Sequence, residues 1–161
     1  GEVMMKPVVE GRMLQALAVK PEDAILEIGT GSGFITACLA RLGREVRSVE
    51  IHAAMAERAR ARLAAAGFSN ASVDAADALA GFEPGRTYDC VCITGAVAVE
   101  PERFRRWLAP GGRLFLIRGL SPAMEATLTT LGPDSQYVTD SLFETDMPYL
   151  VGAAPLPRFV L

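Results

Sequence analysis

The segment from Ala24 to Phe34, AILEIGTGSGF, constrains the fold more than any other stretch of the chain. Ala24-Ile25-Leu26-Glu27-Ile28 is a short, mostly apolar run, and it ends in glycines at positions 29, 31 and 33. A run of that kind reads as a strand buried on both faces. Phe34 to Leu42 then shows helical periodicity, and Gly43 stops it. Strand, glycine turn and helix in immediate succession open an alternating α/β chain, whose strands run parallel.

The rest of the sequence keeps that rhythm. Pro7 suits a first helical turn, and Val8, Met13, Leu14 and Leu17 follow at helical spacing. Pro21-Glu22-Asp23 is a turn, Val46 to Val49 a second strand, and Ala53 to Ala66 a helix rich in Ala, Arg, Met and Leu that ends at Gly67. Ala71 to Val73 is a third strand, Tyr88 to Ile93 a fourth, Pro101 to Leu108 a helix, and Arg113 to Ile117 a fifth strand. Beyond it two extended runs, Met124 to Leu131 and Gln136 to Phe143, flank Gly132-Pro133-Asp134-Ser135 and read as a hairpin. The expectation is a parallel sheet with helices on both faces, right-handed crossovers and an antiparallel edge.

Bulk composition narrows the function. A length of 161 residues suits one domain over 1–161, and half of the residues being hydrophobic suits a globular core. The net charge of -3 lacks the basic footprint of a nucleic-acid binder. Arg103, Arg105 and Arg106 are close together, but a solvated helix face accounts for them. Cys38, Cys90 and Cys92 form no CxxC, so neither a disulfide framework nor a metal site is expected, and buried thiols fit a cytoplasmic protein. No apolar run approaches the ~18–20 residues of a membrane span. The N-terminus lacks the pattern of a signal peptide. It begins at Gly1, as a tag remnant or a start inside a longer protein would.

The glycine loop carries the chemistry. Glycine lets the backbone turn tightly and approach a ligand with no Cβ in the way. The helix after it offers free N–H groups and a positive dipole end. A dinucleotide fingerprint needs a third glycine where Phe34 stands. The carboxylate of Glu27, two residues before Gly29, repels phosphate but suits the ammonium of a methionine-type ligand. Glu50 ends the second strand, 17 residues after Gly33, where a carboxylate can accept from both ribose hydroxyls. Those requirements together describe S-adenosylmethionine, with Glu27, Gly29, Thr30, Gly31, Ser32, Gly33 and Glu50 as its expected neighbours. Ile51 would pack on the adenine, and His52, the only histidine, reads as a wall residue rather than a base. Two roles are open to Asp77: accepting from the adenine amino group, with the Ala78 N–H on a ring nitrogen, or capping a helix. Thr94, ending the fourth strand, either holds a methyl acceptor or caps the strand.

Most of the chain resembles the protein-L-isoaspartate (D-aspartate) O-methyltransferases. VMMKPVVEGRMLQAL is similar to that family's T-I-S-x-P stretch and the helix after it, and LEIGTGSGFITACLA to its cofactor loop. YDCVCITGAVAVEPERFRRWLAPGGRLFLIRG resembles its fourth strand, the helix that follows and its Gly-Gly strand, and LFETDMPYLV its C-terminal end. The resemblance implies a Rossmann-like class I methyltransferase fold: a mostly parallel seven-stranded sheet, order 3-2-1-4-5-7-6, with an antiparallel terminal hairpin. It implies methyl transfer from S-adenosyl-L-methionine to isoaspartyl carboxylates of damaged proteins, leaving S-adenosyl-L-homocysteine. Two features depart from the pattern. Val3-Met4-Met5 stands where the family has a serine-containing triplet, and the sequence starts after the family's substrate-covering N-terminal region. A different acceptor (a small molecule, a corrin-type precursor or tRNA) and a non-catalytic cofactor-binding module are the alternatives.

Overall fold

A computed structural model describes residues 4–156. Val3 of the departing triplet lies outside them. The elements alternate as expected: α1 (Pro7–Leu17), β1 (Ala24–Ile28), α2 (Phe34–Leu42), β2 (Glu45–Glu50), α3 (Ala53–Ala65), β3 (Ala71–Ala75), β4 (Tyr88–Val97), α4 (Glu102–Arg106), β5 (Leu108–Leu120), β6 (Ala123–Leu131) and β7 (Tyr137–Thr145). Among the described residues no helix is long and apolar enough to cross a membrane.

All seven strands form one sheet in the order β3-β2-β1-β4-β5-β6-β7. β3 to β5 pair in parallel, and β5-β6-β7 pair antiparallel. The α/β class and the terminal hairpin therefore stand, and the implied end order 7-6 is corrected to 6-7. The cause is the link after β5. Leu120 pairs with Ala123, so only Ser121 and Pro122 separate β5 from β6. A two-residue link joins neighbouring antiparallel strands and cannot carry the chain past a vacant position.

Two element bounds differ from expectation for one reason. The fourth helix shrinks to five residues because Trp107 and Leu108 are drawn into the sheet: the Trp107 carbonyl accepts from the Tyr88 N–H at 2.8 Å, and Tyr88 pairs with Leu108. β5 then crosses Pro110-Gly111-Gly112 as a bulge, with Gly111 at φ +76°.

The core lies on both faces of the sheet. On one face Met13 and Leu17 of α1 and Leu39 of α2 pack against Ile25, Cys90, Cys92 and Phe115. Cys90 and Cys92 share this face, as period-two alternation requires. On the other, Phe104 and Trp107 pack against Leu26, Ile28, Val91 and Leu114. Arg113 locks α1 to the sheet, donating to the Leu17 and Ala18 carbonyls and pairing with buried Asp23 at 2.6 Å. Arg105 pairs with Glu100, and Arg103 reaches Glu83 and the Leu79 carbonyl. These arginines are engaged in intramolecular contacts.

Candidate cofactor and acceptor site

The chain reverses its build direction at β1, with β2 on one side and β4 on the other. Crevices at the carboxyl ends of strands at such a point are where α/β sheets bind ligands. A cleft of about 750 Å³, open to solvent, lies there. Gly29, Gly31, Glu50, Ile51, Asp77, Ala78 and Thr94 all line it, and so does His52. A second chamber shares Gly29, Gly31, Met55 and Thr94 with the first, so the two adjoin across the glycine loop and the end of β4. Thr30 and Ser32 line this second chamber, together with Met5 and Glu10.

The loop is held from beneath by carbonyls and from the side by Glu50. The Gly29 N–H donates to the Val49 carbonyl at 2.8 Å, which carries the chain over the end of β2. Glu50, only 5% exposed, accepts from the Gly31 N–H at 2.8 Å through Oε2 and from the His52 N–H at 3.0 Å through Oε1. Gly31 sits at φ +53°, and a Cβ added there would meet open space, so its backbone edge faces a clear chamber. Gly29 is tied to its place: at φ +100°, a Cβ would collide with Thr94 Oγ1.

Thr94 Oγ1 lies 2.9 Å from the Ile28 carbonyl and 2.6 Å from the Gly29 carbonyl, within donating distance of both. The strand-capping role thus has its partners in place. Asp77 likewise uses Oδ1 to cap a turn, accepting from the Leu79 N–H at 2.8 Å and the Ala80 N–H at 3.2 Å, while its side still lines the cleft. Gly33 lines neither chamber; at φ +83° it precedes α2 and packs beside Ala59 of α3.

Glu27 is also absent from the cleft. On β1 it alternates with Leu26 and Ile28 and faces the helix layer, fully buried. Its Oε2 accepts from the Ser48 hydroxyl at 2.6 Å and from the Thr36 hydroxyl, and the Thr30 hydroxyl joins the chain through Ser48. Oε1 has no partner among the described residues. Burial pushes its carboxyl up to about 7; the two hydroxyls pull it down, and the charge of Glu50 pushes it up. Its Oε2 is spent on the two hydroxyls, and Oε1 alone is left to reach a ligand ammonium, directly or through water. Glu27 braces the loop from below.

Three further features line the cavities, the first of them within the LFETDMPYLV segment that resembles the family's C-terminal end. Met147 to Val151 crosses the end of β4, where the Ala96 N–H donates to the Pro148 carbonyl and the Leu150 N–H to the Ala96 carbonyl, both at 2.9 Å. The Tyr149 hydroxyl donates to the Gly119 carbonyl at 3.0 Å and fixes this wall to the β5–β6 turn. Leu150 packs so closely on Gly95 that a Cβ there would overlap its side chain. Glu10 and the pair Arg58 and Arg62 are the others, from α1 and α3.

A family model for protein-L-isoaspartate(D-aspartate) O-methyltransferase (PCMT) matches residues 1–129. The chain belongs to this family. A protein-L-isoaspartate O-methyltransferase of Methylorubrum populi is 38% identical over 116 residues, 72% of this chain and 54% of the relative. Protein-L-isoaspartate O-methyltransferase 2 of Marinobacter nauticus is 32% identical over 158 residues, 98% of this chain and 72% of the relative. A solved protein-L-isoaspartate O-methyltransferase superposes with a TM-score of 0.79 at 25% identity, covering 89% of this chain and 47% of that one. A Plasmodium falciparum structure, described as a candidate protein-L-isoaspartate O-methyltransferase in complex with S-adenosyl-L-homocysteine, gives a TM-score of 0.78 at 17% identity, with 93% of this chain and 76% of that one covered. The chain spans about half the length of the first curated relatives it matches.

Proposed function

We propose that the chain binds S-adenosyl-L-methionine and transfers its methyl group to a carboxylate, with the isoaspartyl residue of a damaged protein as acceptor. The observation that carries this reading is the pairing of Glu50 with the Gly31 N–H at the mouth of the cleft. It sets a carboxylate and a bare backbone edge side by side, as a ribose and the chain that extends from it require. The residues fit the cofactor: a second chamber adjoins the cleft, and Gly31 leaves its approach clear.

Each Glu50 oxygen accepts one backbone N–H and keeps a lone pair for a ribose hydroxyl. Ile51 offers an apolar face to the adenine, and the Asp77–Ala78 turn its polar edge. The bound cofactor supplies an electrophilic methyl on a sulfonium. An ionised acceptor carboxylate attacks that methyl carbon in line, the new C–O bond forming as the C–S bond breaks and its electrons return to sulfur. No proton moves, so the protein's contribution is positioning and exclusion of water. Thr94 holds the Gly29 end of the loop, and the 147–151 wall closes the side of the cleft. The single sheet supports reading residues 1–161 as one methyltransferase domain. The three free thiols suit a reducing, cytoplasmic setting.

Met5 favours a second reading. It is buried in the second chamber at the position of the family serine, and a thioether has no proton to donate to an acceptor carboxylate. A methyl acceptor other than isoaspartate fits that loss. The deciding experiment is label transfer from S-adenosyl-methionine to an isoaspartyl peptide, its aspartyl twin and a metabolite panel. Base-labile label on the isoaspartyl peptide alone supports the first reading; label on a panel member alone supports the second; no label anywhere removes both.

A further inference from the structure

A carboxylate is the strongest acceptor for the ammonium of an amino-acid tail, and Glu27 is buried beneath α2. The carboxyl group that does line the second chamber is Glu10, in the first turn of α1. It is 7% exposed, and its carboxyl makes no hydrogen bond or ion pair among the described residues. Its carboxyl faces the chamber with no protein partner among the described residues, and partial burial pushes it above its ordinary range. From α3 the same chamber receives Arg58 and Arg62, the latter donating to the Ser32 carbonyl at 3.1 Å. Anion from one element and cations from another, beside exposed backbone of the glycine loop, match a zwitterion in charge.

We propose that Glu10 receives the α-ammonium of the cofactor's amino-acid tail in the second chamber, with Arg58 and Arg62 on the side of the tail's carboxylate. This rests on the S-adenosylmethionine reading and reassigns one contact within it. Glu10 then selects for the intact tail: the adenosine end is held by the first cleft whether or not a tail is present, while an ammonium relieves the buried charge of Glu10. Arg58 and Arg62 line the chamber with Glu10, and Glu10 and Glu27 are both near enough to Cys38 to push its thiol up, after burial, which is the larger cause.

The test uses two probes, S-adenosylhomocysteine and 5′-methylthioadenosine, which share the adenosine and thioether while the second lacks the amino acid. Calorimetry on the wild-type chain should show tighter binding of the first. Glu10→Gln should weaken S-adenosylhomocysteine by roughly 10-fold or more, the loss expected for a charged hydrogen bond, and leave methylthioadenosine within about 2-fold. Glu27→Gln should keep the wild-type ratio between the probes. Equal weakening of both probes by Glu10→Gln, or none of either, overturns the assignment while leaving the nucleoside cleft standing. A ratio lost in Glu27→Gln and kept in Glu10→Gln returns the ammonium to Glu27. A wild-type chain that binds neither probe removes the cofactor reading itself, and this inference with it.

Discussion

Replacing Glu27 by glutamine should make the protein more stable at alkaline pH than at acid pH, relative to wild type. The carboxyl is fully buried, and burial is the main cause that raises it from the usual 4.5 to about 7. In the unfolded chain it ionises near 4.5, while in the folded chain it keeps its proton to about 7. Between those values the folded state binds more protons than the unfolded one, so stability falls as pH rises. The contribution is whole below the lower value and lost once pH has passed the higher. At about 1.4 kcal/mol per pH unit, this interval corresponds to roughly 3 kcal/mol, with no discount for solvent because none reaches the group. Glutamine keeps an oxygen for the Ser48 and Thr36 hydroxyls and has no proton to lose. Urea unfolding of both proteins at about pH 5 and about pH 8.5 reads the difference, and the glutamine variant should gain roughly 2–3 kcal/mol on wild type across that range. A gap that stays constant, or one that narrows with rising pH, would refute the burial argument.

Other perturbations follow from single contacts. Gly31→Val places a branched side chain at φ +53° in the ligand's path, so S-adenosylhomocysteine binding should be lost. Backbone strain of about 1–3 kcal/mol should lower Tm by only some 2–10 °C, and retained binding in the folded variant would contradict the loop assignment. Met5→Ser should raise turnover of an isoaspartyl peptide roughly 10–150-fold, as one charge-assisted hydrogen bond in the transition state requires, and an unchanged kcat/KM would show that the hydroxyl is dispensable. Asp23→Ala leaves Arg113, whose side chain is only 13% exposed, without its counter-ion, so chemical denaturation should show a loss of about 3 kcal/mol or more; a change below about 1 kcal/mol would mean that the pair adds nothing beyond surface strength.

How far the sequence carries depends on how local the cause is. The strand, glycine turn and helix over 24–42 are legible because each boundary is encoded in adjacent residues, and the observed bounds of β1 and α2 match the reading. The order of the last two strands is set by the length of the link after β5. By local pattern the fifth strand ends at Ile117 and the sixth begins at Met124, leaving six residues between them where the structure has two. Gly119 at φ +113° and the Ser121–Pro122 turn let both strands extend to the link, and a run of Gly, Leu, Ser and Pro does not announce that pairing. Glu27 shows a different limit. In a sheet covered on both faces, alternation does not distinguish the side that faces a ligand from the side that faces a helix. The signal available was the pair of hydroxyls at Thr36 and Ser48, both distant in sequence and both aimed at Glu27. The wall at 147–151 depends on a backbone bridge to Ala96 some fifty residues earlier, which no local pattern encodes.

The central claim is that the β1 crevice is a nucleoside site organised by Glu50, and its most direct measurement is calorimetric titration of S-adenosylhomocysteine into the wild-type chain and into Glu50→Ala, with NAD as the control ligand. The account predicts saturable binding of S-adenosylhomocysteine to wild type, affinity lower by roughly 10–150-fold in Glu50→Ala through the loss of charged hydrogen bonds, and no heat from NAD. Binding of NAD without S-adenosylhomocysteine, or equal affinity of the two proteins for S-adenosylhomocysteine, would contradict it.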